Sequence, residues 1–351
     1  MGANLLIVVA SAALLHSQQD TTRSTHGFAL ERLPDLFQYN RVQGLSFGVG
    51  YRVRIPGSRF ADLYGTVRYG LSDERVTGRL TVLRDGPDGR IALSGYTDIA
   101  DLDPFSPGRT FANTFNGLIA AHDNADYALA RGGSISYGTS VAGRLDLVLA
   151  ARIERQASVG RAAQSELNDL LGGSGLFPPN PAVDEGTFGA VSAGVSHIGR
   201  ARWKVTAEVL GGSGRTTGRL FGDVRRSVDA GIGVTLRVKA GISTEPSFAQ
   251  SLFRLGGLNT VRGFDYGTLR APAFWAGQLD ITPFEGRVRP VVFLDAGQAS
   301  RLADLFSSPA LVGGGAGLSL FSGLLRFDLS RPISPDRRGK VRFDIVIQGA
   351  R

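Results

Sequence analysis

The residue types that most often carry catalysis or bind metals are scarce in this sequence. Its 351 residues include no cysteine, and the histidines are His16, His26, His122 and His197. Without cysteine there is no thiol nucleophile, no disulfide and no Cys₄ zinc site. None of the four histidines lies in an HExxH motif or at another metal-binding spacing. We therefore expect no metal site.

Two other kinds of chemistry have candidate residues but lack a complete motif. A serine hydrolase needs a serine beside a histidine that acts as its base. The candidates are Ser196–His197 and His122–Asn124, and both are typical of polar residues at strand ends. The glycine-rich stretches 211–214 and 313–317 are not followed by the lysine of a phosphate-binding loop. We expect no catalytic residues, no cofactor and no enzyme activity.

The excess of basic residues does not indicate a nucleic-acid-binding protein. The chain has 39 lysines and arginines against 31 acidic residues, a formal net charge of +8. The arginines are scattered and mostly alternate with apolar residues, whereas nucleic-acid binding requires a basic patch or stripe. A polar lumen, or contact with anionic lipid headgroups, accounts better for this charge.

Apolar and polar residues alternate along much of the chain. This alternation places most of the charged side chains on one face of each segment. In Leu145–Ile153 every second residue is leucine, alanine or isoleucine, while Asp146 and Arg152 lie on the other face. In Val341–Ile347 the apolar residues alternate with Arg342 and Asp344 in the same way. A period of two is the period of a β-strand.

Segments of this kind recur along most of the chain. We expect sixteen strands, at 42–55, 60–71, 75–85, 89–99, 110–122, 126–140, 143–156, 186–199, 201–212, 218–230, 232–243, 272–282, 287–298, 311–321, 323–332 and 340–349. An even strand number, 48 glycines and a 42% share of hydrophobic residues are typical of a sheet with one lipid-facing and one water-facing side. The sequence therefore predicts an all-β fold, a transmembrane antiparallel β-barrel of about 16 strands.

The N-terminal region divides the chain into three parts. Leu5–Leu15 is an apolar run that suits the core of a signal peptide and is too short to span a bilayer as a helix. A buried N-terminal segment is the alternative interpretation. We expect a signal peptide at 1–19, an N-terminal tail or short plug at 20–40, and the barrel at 41–351.

Connection lengths provide an independent test, because outer-membrane barrels have short turns at one end and longer loops at the other. Long connections at 157–185, 244–271, 299–310 and 333–339 all follow odd-numbered predicted strands. Short ones, such as 72–74 and 141–142, follow even-numbered strands. The connection 100–109 is the exception, since it is long and follows an even strand.

Several motifs near the C-terminus occur together in one order. They are LGGLNTVRGF at 255–264, AGQLDITPF at 276–284, FLDAG at 293–297, GGGAGLSL at 313–320 and LLRFDLSRPI at 324–333. This part of the chain resembles the outer-membrane assembly-barrel family. The family comprises the BamA/TamA-type insertases and the two-partner secretion pores, also called bacterial surface antigens. The resemblance implies a protein of the bacterial outer membrane.

The resemblance also implies an inward-folded loop. In such barrels the loop corresponding to 244–271 folds back into the lumen and carries a four-residue motif at its tip. Here that motif is Val261, Arg262, Gly263 and Phe264.

The arginine of this motif is expected to pair with acidic residues on the inner wall of the barrel. The resemblance places Arg262 with Asp280 and Asp295, and the second of these belongs to a strand motif with Phe293 and Gly297. Alternation supports an inward position for both carboxylates, because each lies opposite the apolar residues of its strand. A guanidinium between two carboxylates forms charge-assisted, forked hydrogen bonds.

The chain also departs from the family pattern. Residues 16–40 are too few for a periplasmic POTRA domain, so we expect a barrel domain only. The chain ends on Arg351, where the family usually has an aromatic residue that is read as an assembly signal. These departures place substrate capture and the assembly signal in doubt.

Three functions remain open on this basis. The resemblance implies insertion or secretion of proteins at the outer membrane, through a seam between the first and last strands. A passive or plug-gated channel, and a structural partner barrel in an outer-membrane complex, are the alternatives. The expected partners are outer-membrane lipid, unfolded or exported outer-membrane proteins and a periplasmic partner, but no nucleic acid; an oligomer is compatible with the sequence.

Overall fold

A computed structural model of the chain shows one large antiparallel sheet and a small hairpin. It describes residues 26–29, 36–58, 60–106, 108, 110–141, 143, 145–245, 247–284, 286–334 and 339–347. The predicted signal peptide at 1–19 and the C-terminal Arg351 lie outside the described residues.

Nineteen strands form the described architecture. They are β1 (His26–Phe28), β2 (Phe37–Asn40), β3 (Gly44–Arg54), β4 (Ala61–Gly70), β5 (Val76–Gly86), β6 (Gly89–Asp101), β7 (Tyr127–Val141), β8 (Leu145–Ser158), β9 (Gly186–Ile198), β10 (Ala201–Gly212), β11 (Arg215–Asp229), β12 (Gly233–Ser243), β13 (Phe253–Leu255), β14 (Leu269–Ala271), β15 (Ala273–Thr282), β16 (Val288–Ser300), β17 (Leu311–Leu320), β18 (Leu325–Pro332) and β19 (Arg342–Ile347). The helices are α1 (Phe111–Ala120) and α2 (Glu166–Leu170), with 3₁₀ turns at Ala249–Ser251, Leu302–Asp304 and Phe321–Gly323.

Strand order in the large sheet follows the chain. Each strand from β3 to β12 pairs with the next, β12 pairs with β15, and the order continues to β19. Both β1 and β2 pair with β3, at Tyr51–Val53 and Gly44–Phe47 respectively, on the edge opposite β4. Because β1 and β2 share one position, the 17 strands of this sheet fill 16 positions. The predicted antiparallel barrel of about 16 strands is confirmed.

Along the strands, apolar side chains face outward and polar side chains face inward, which is the reverse of the arrangement in a water-soluble protein. In β10, Val205 and Val209 are 45% and 53% exposed, whereas the intervening Thr206 and Glu208 are 3% and 8% exposed. Apolar residues therefore cover the outer surface and polar residues face the lumen, as in barrels surrounded by lipid. Among the described residues, neither helix is long and apolar enough to cross a bilayer.

The strand predicted at 110–122 is wrong, because most of this segment is helix α1. Phe111 and Phe115 are four residues apart, which is helical spacing. The side chain of Thr110 accepts a hydrogen bond from the backbone N–H of Asn113 and caps the first turn. The remaining strand position is filled instead by β1 and β2, which lie in the region predicted as a tail or plug.

This correction changes the predicted connections. The segment between β6 and β7, which contains α1, now follows an odd strand position, like the other long loops, so 100–109 is no exception. The turn 72–74, predicted at the opposite end, lies beside these loops: Ser72 N–H donates to Gln43 O at 2.9 Å, and Ala163 N–H donates to Arg41 O at 3.1 Å.

Candidate functional site

The loop between β12 and β15 packs against the inner wall of the barrel. Strands β13 and β14 form its base, pairing Phe253–Leu255 with Leu269–Ala271. Its apolar side chains enter a buried cluster, within which Phe253 stacks on Phe274 of the wall at 4.9 Å between ring centroids. Val261 and Phe264, predicted from the tip motif, belong to this cluster. The loop is therefore held against the inner wall.

Arg262 at the loop tip contacts carboxylates from three different strands. Its Nε and Nη2 donate to Asp295 on β16 at 2.7 and 2.6 Å, and Nη2 also donates to Asp280 on β15 at 2.7 Å. Nη1 lies 3.4 Å from Asp328 on β18. The backbone N–H of Arg262 donates to Asp295 as well, at 2.9 Å. The structure thus brings together the arginine and both of its predicted partners, and adds a third.

Two further arginines complete this cluster, which we call the lumen ion cluster. Arg326 on β18 contacts Asp280 at 3.1 Å and Asp328 at 2.6 Å, and Arg237 on β12 contacts Asp280 at 2.6 Å. The ring of Phe293 lies 3.8 Å from the guanidinium carbon of Arg262. Three guanidinium groups therefore face three carboxylates, so the formal charges balance.

Three glycines allow the loop tip and the wall to approach each other closely. Gly263 has φ of +92°, a left-handed conformation that residues with a Cβ rarely adopt. A Cβ on Gly313 of β17 would lie 1.9 Å from the carbonyl oxygen of Arg262. The wall therefore has no side chain where the loop tip touches it. Gly297 has the same role beside Val261, which its Cβ would approach to 3.1 Å.

Electrostatics keep Arg262 charged despite its burial. Desolvation by itself would lower the pKa of Arg262, but the carboxylates of Asp295, Asp280 and Asp328 outweigh it and raise the pKa above its ordinary value. The arrangement is suited to fixing the loop rather than to transferring protons. Among the described residues, no group of three potential ligands is placed to hold a metal ion.

Sequence comparisons match two different parts of the chain. A family model described as haemolysin secretion/activation protein ShlB/FhaC/HecB matches residues 229–320. Another, described as the C-terminal domain of a family of unknown function (DUF5686), matches residues 12–180. No curated protein sequence matches the chain.

Solved structures similar to this one are also barrels. BamA from Haemophilus ducreyi, crystallised without POTRA domains 1–3, is 15% identical, with a TM-score of 0.60 over 92% of this chain and 70% of that one. In both sequence and fold the chain resembles the outer-membrane assembly-barrel family. CdiB from Acinetobacter baumannii (12% identity, TM-score 0.49) and from Escherichia coli (14%, 0.47) align over 88% and 91% of this chain. This chain spans 57% and 63% of those two chains.

The resemblance predicted from the motifs is confirmed, and so is the location in the bacterial outer membrane. The haemolysin secretion/activation match at 229–320 contains the loop, Arg262, Asp280 and Asp295. The likeness to BamA shows that this barrel shares the fold of that protein over nearly the whole chain.

A second loop of the barrel, the segment 102–126 with helix α1, interlocks with the first. Arg254 Nε donates to Asp126 at 3.0 Å, and the backbone N–H of Leu258 donates to the side chain of Asn124 at 3.1 Å. Asn259 Nδ2 donates to the carbonyl oxygen of Phe105 at 2.7 Å. Loop 244–271 is therefore fixed both to the wall and to the segment that carries α1.

The residues considered for hydrolase chemistry have structural partners instead. Asp123 accepts hydrogen bonds from the backbone N–H of Arg41 at 2.8 Å and from its Nε at 3.3 Å. His122 Nδ1 lies 3.2 Å from Asp344 on β19. The ring of His197 packs against Trp203 at 6.1 Å between centroids.

Some members of the lumen ion cluster were missed from the sequence. Arg326 and Asp328 alternate with Phe327 and Leu329, which is the same signal that placed Asp280 and Asp295 on an inner wall. Arg237 alternates with Leu236 and Val238 in the same way. Alternation reveals which side chains face inward, but it does not reveal which of them meet across the lumen.

Proposed function

We propose that this barrel acts in the insertion or secretion of proteins at the outer membrane. The observation that carries the proposal is the lumen ion cluster around Arg262, four of whose six charged residues lie within the segment similar to haemolysin secretion/activation proteins. In this proposal Arg262 is a positioning residue: it holds loop 244–271 against the wall. Unfolded or exported outer-membrane proteins would be the substrates, delivered by a periplasmic partner.

The seam between the first and last strand positions is the proposed working surface. A free strand edge presents unpaired N–H and C=O groups that can template another strand. The first position consists of β1 and β2, which have three and four residues, and β19 has six. Short edge strands carry few ladder hydrogen bonds, so this is where the sheet opens at least cost.

Depletion of the protein in its host is the experiment that tests this proposal. If it assembles or secretes proteins, several unrelated barrels, or one exported protein, should fall in abundance in quantitative proteomics of the outer membrane. Complementation with the wild-type chain should restore them. An unchanged outer-membrane proteome would contradict the proposal.

A channel is the second candidate, and a polar cavity in the lumen favours it. A cavity of about 130 Å³ lies between the wall and the segment 102–126, lined by charged residues such as Arg79, Glu154, Lys204 and Glu208. A polar lumen of this kind suits small hydrophilic solutes. Altered solute uptake after depletion, with an unchanged proteome, would favour the channel.

A further inference from the structure

The last strand of the barrel has an unusual partner on its outer edge. Ile345 of β19 lies opposite Phe327 of β18. Its backbone N–H donates to Oδ1 of Asn116 at 2.6 Å, and its carbonyl oxygen accepts from Nδ2 of Asn116 at 2.8 Å. The N–H and C=O of one strand residue point to the same side. A single side-chain amide therefore makes both of the hydrogen bonds that a neighbouring strand residue would make.

Helix α1, which carries Asn116, also contacts the first strand position. The backbone N–H of Tyr39 on β2 donates to Oγ1 of Thr114 at 3.2 Å. Gly117 lies directly against this strand, since a Cβ there would be 3.2 Å from the ring of Tyr39. Thr114 and Asn116 are fully buried. One helix thus bonds to the backbone of both strands that border the seam.

We propose that helix α1 is a latch on the seam, in which Asn116 occupies the strand-pairing site of β19. An extended polypeptide that pairs with β19 must first displace this amide. The identity of the displacing partner rests on the proposed function, but the latch itself does not.

Two side-chain contacts on β19 show what else must move. His122, two residues beyond α1, contacts Asp344, and Asp265 of loop 244–271 accepts a hydrogen bond from Arg342. The inner face of β19 is therefore held by both lumen segments. Asn116 differs from these contacts because it alone of the three engages the strand's backbone edge rather than its side chains.

Hydrogen exchange of the full chain in detergent micelles tests the latch. Asn116→Ala leaves the N–H and C=O of Ile345 without these partners, so we expect the Ile345 amide to exchange about tenfold faster, equivalent to about 1.4 kcal/mol. Asn180→Ala is the matched control, because Asn180 pairs in the same way with both backbone groups of Tyr127 on β7, at 2.9 and 2.7 Å. The control should leave exchange at β19 unchanged.

Either of two results would overturn the latch: unchanged exchange at Ile345 in Asn116→Ala, or equal acceleration there in Asn180→Ala. Where Asn116→Ala does not fold, a His122→Cys/Asp344→Cys pair joined by a short thiol cross-linker provides the second measurement. Cross-linking should slow exchange at Ile345, and cleavage of the linker should restore it. Unchanged exchange on cross-linking would also contradict the latch.

A peptide with the sequence of residues 341–347 separates the latch from the proposed function. If the seam templates strands, this labelled peptide should bind Asn116→Ala about tenfold more tightly than the wild-type chain, because no amide has to be displaced. If Asn116→Ala shows faster hydrogen exchange at Ile345 but does not bind the peptide, the latch is supported and strand templating is contradicted.

Discussion

Arg262 illustrates why a buried ion cluster must be complete. Its side chain is 3% exposed, and the side chains of its three acidic partners are at most 6% exposed. Removing one member from such a group leaves the others buried without compensation, which costs more than the intact contact contributes. A surface pair is different, because water solvates each partner after the other is removed.

Replacement of Arg262 should therefore destabilise the folded barrel. We expect Arg262→Ala to lower the free energy of unfolding by about 3–5 kcal/mol, measured by denaturant titration in micelles. Arg262→Lys should recover only part of this, because an ammonium group retains the charge but not the forked geometry. Arg301→Ala is the control, since Arg301 is 77% exposed and lies 3.9 Å from Glu245. Equal effects of Arg262→Ala and Arg301→Ala would refute this account.

Gly313 provides a steric test at the same contact. Gly313→Ala places a methyl group 1.9 Å from the carbonyl oxygen of Arg262, so the loop tip must move away from the wall. We expect a loss of about 1–3 kcal/mol and faster proteolysis within 244–271. Gly277→Ala on β15 meets nothing within 4 Å and should behave like the wild type. If both variants resist protease equally, the close approach at Gly313 is unimportant.

At the scale of elements, two lumen segments hold each other in place. Loop 244–271 bonds to the wall through Arg262, and to the segment 102–126 through Arg254 and Asp126. That segment in turn bonds to β19 through Asn116. Contacts therefore run without interruption from the lumen ion cluster to the seam, and a disturbance at one end has a physical route to the other.

Shortening the inward loop tests whether it obstructs the lumen. Replacing residues 256–268 by a short turn removes the segment that fills the space between β15–β18 and the segment 102–126. We expect a larger single-channel conductance in planar bilayers, because side chains that occupy the pore are lost. Shortening the loop around Leu302–Phe306, whose apolar tip is exposed, is the control and should leave conductance unchanged. Equal conductance in both deletions would exclude a plug.

At the scale of the whole molecule, the outer surface of the barrel is apolar, and the fold therefore requires lipid around it. Exposed aliphatic side chains recur at every second position of the strands, for example Leu236 and Val238 on β12. Only lipid can cover these side chains, so the stability of this barrel depends on its membrane environment.

A single charge on the outer surface should therefore be costly. Val205→Arg near the middle of β10 should make the free energy of folding into bilayers less favourable by about 2–4 kcal/mol. Val205→Leu retains an apolar side chain and should change it by less than about 1.5 kcal/mol. Folding efficiency into lipid vesicles at increasing urea measures both. If Val205→Arg folds as well as Val205→Leu, this side of the strand does not face lipid.

The difference between the predicted and observed elements follows from the range of the interactions. Alternation is a local property, so fifteen of the sixteen predicted strands correspond to strands of the sheet. The segment 110–122 contains Thr114 and Asn116, polar residues whose hydrogen-bond partners Tyr39 and Ile345 lie 75 and 229 residues away in sequence. Hydrogen bonds to such distant partners decide whether this segment forms a helix or a strand. A short stretch of sequence does not reveal these partners.

The sequence by itself determined the membrane-facing alternation and fifteen of the sixteen strands, and the family resemblance implied the pairing of Arg262 with Asp280 and Asp295. These depend on local periodicity and on motifs that were read together. Only the tertiary structure decided that Asp328 joins the cluster and that Asn116 bonds to Ile345, 229 residues away. The physical reason is that hydrogen bonds across the lumen depend on how the sheet curves, which brings distant residues within bonding distance.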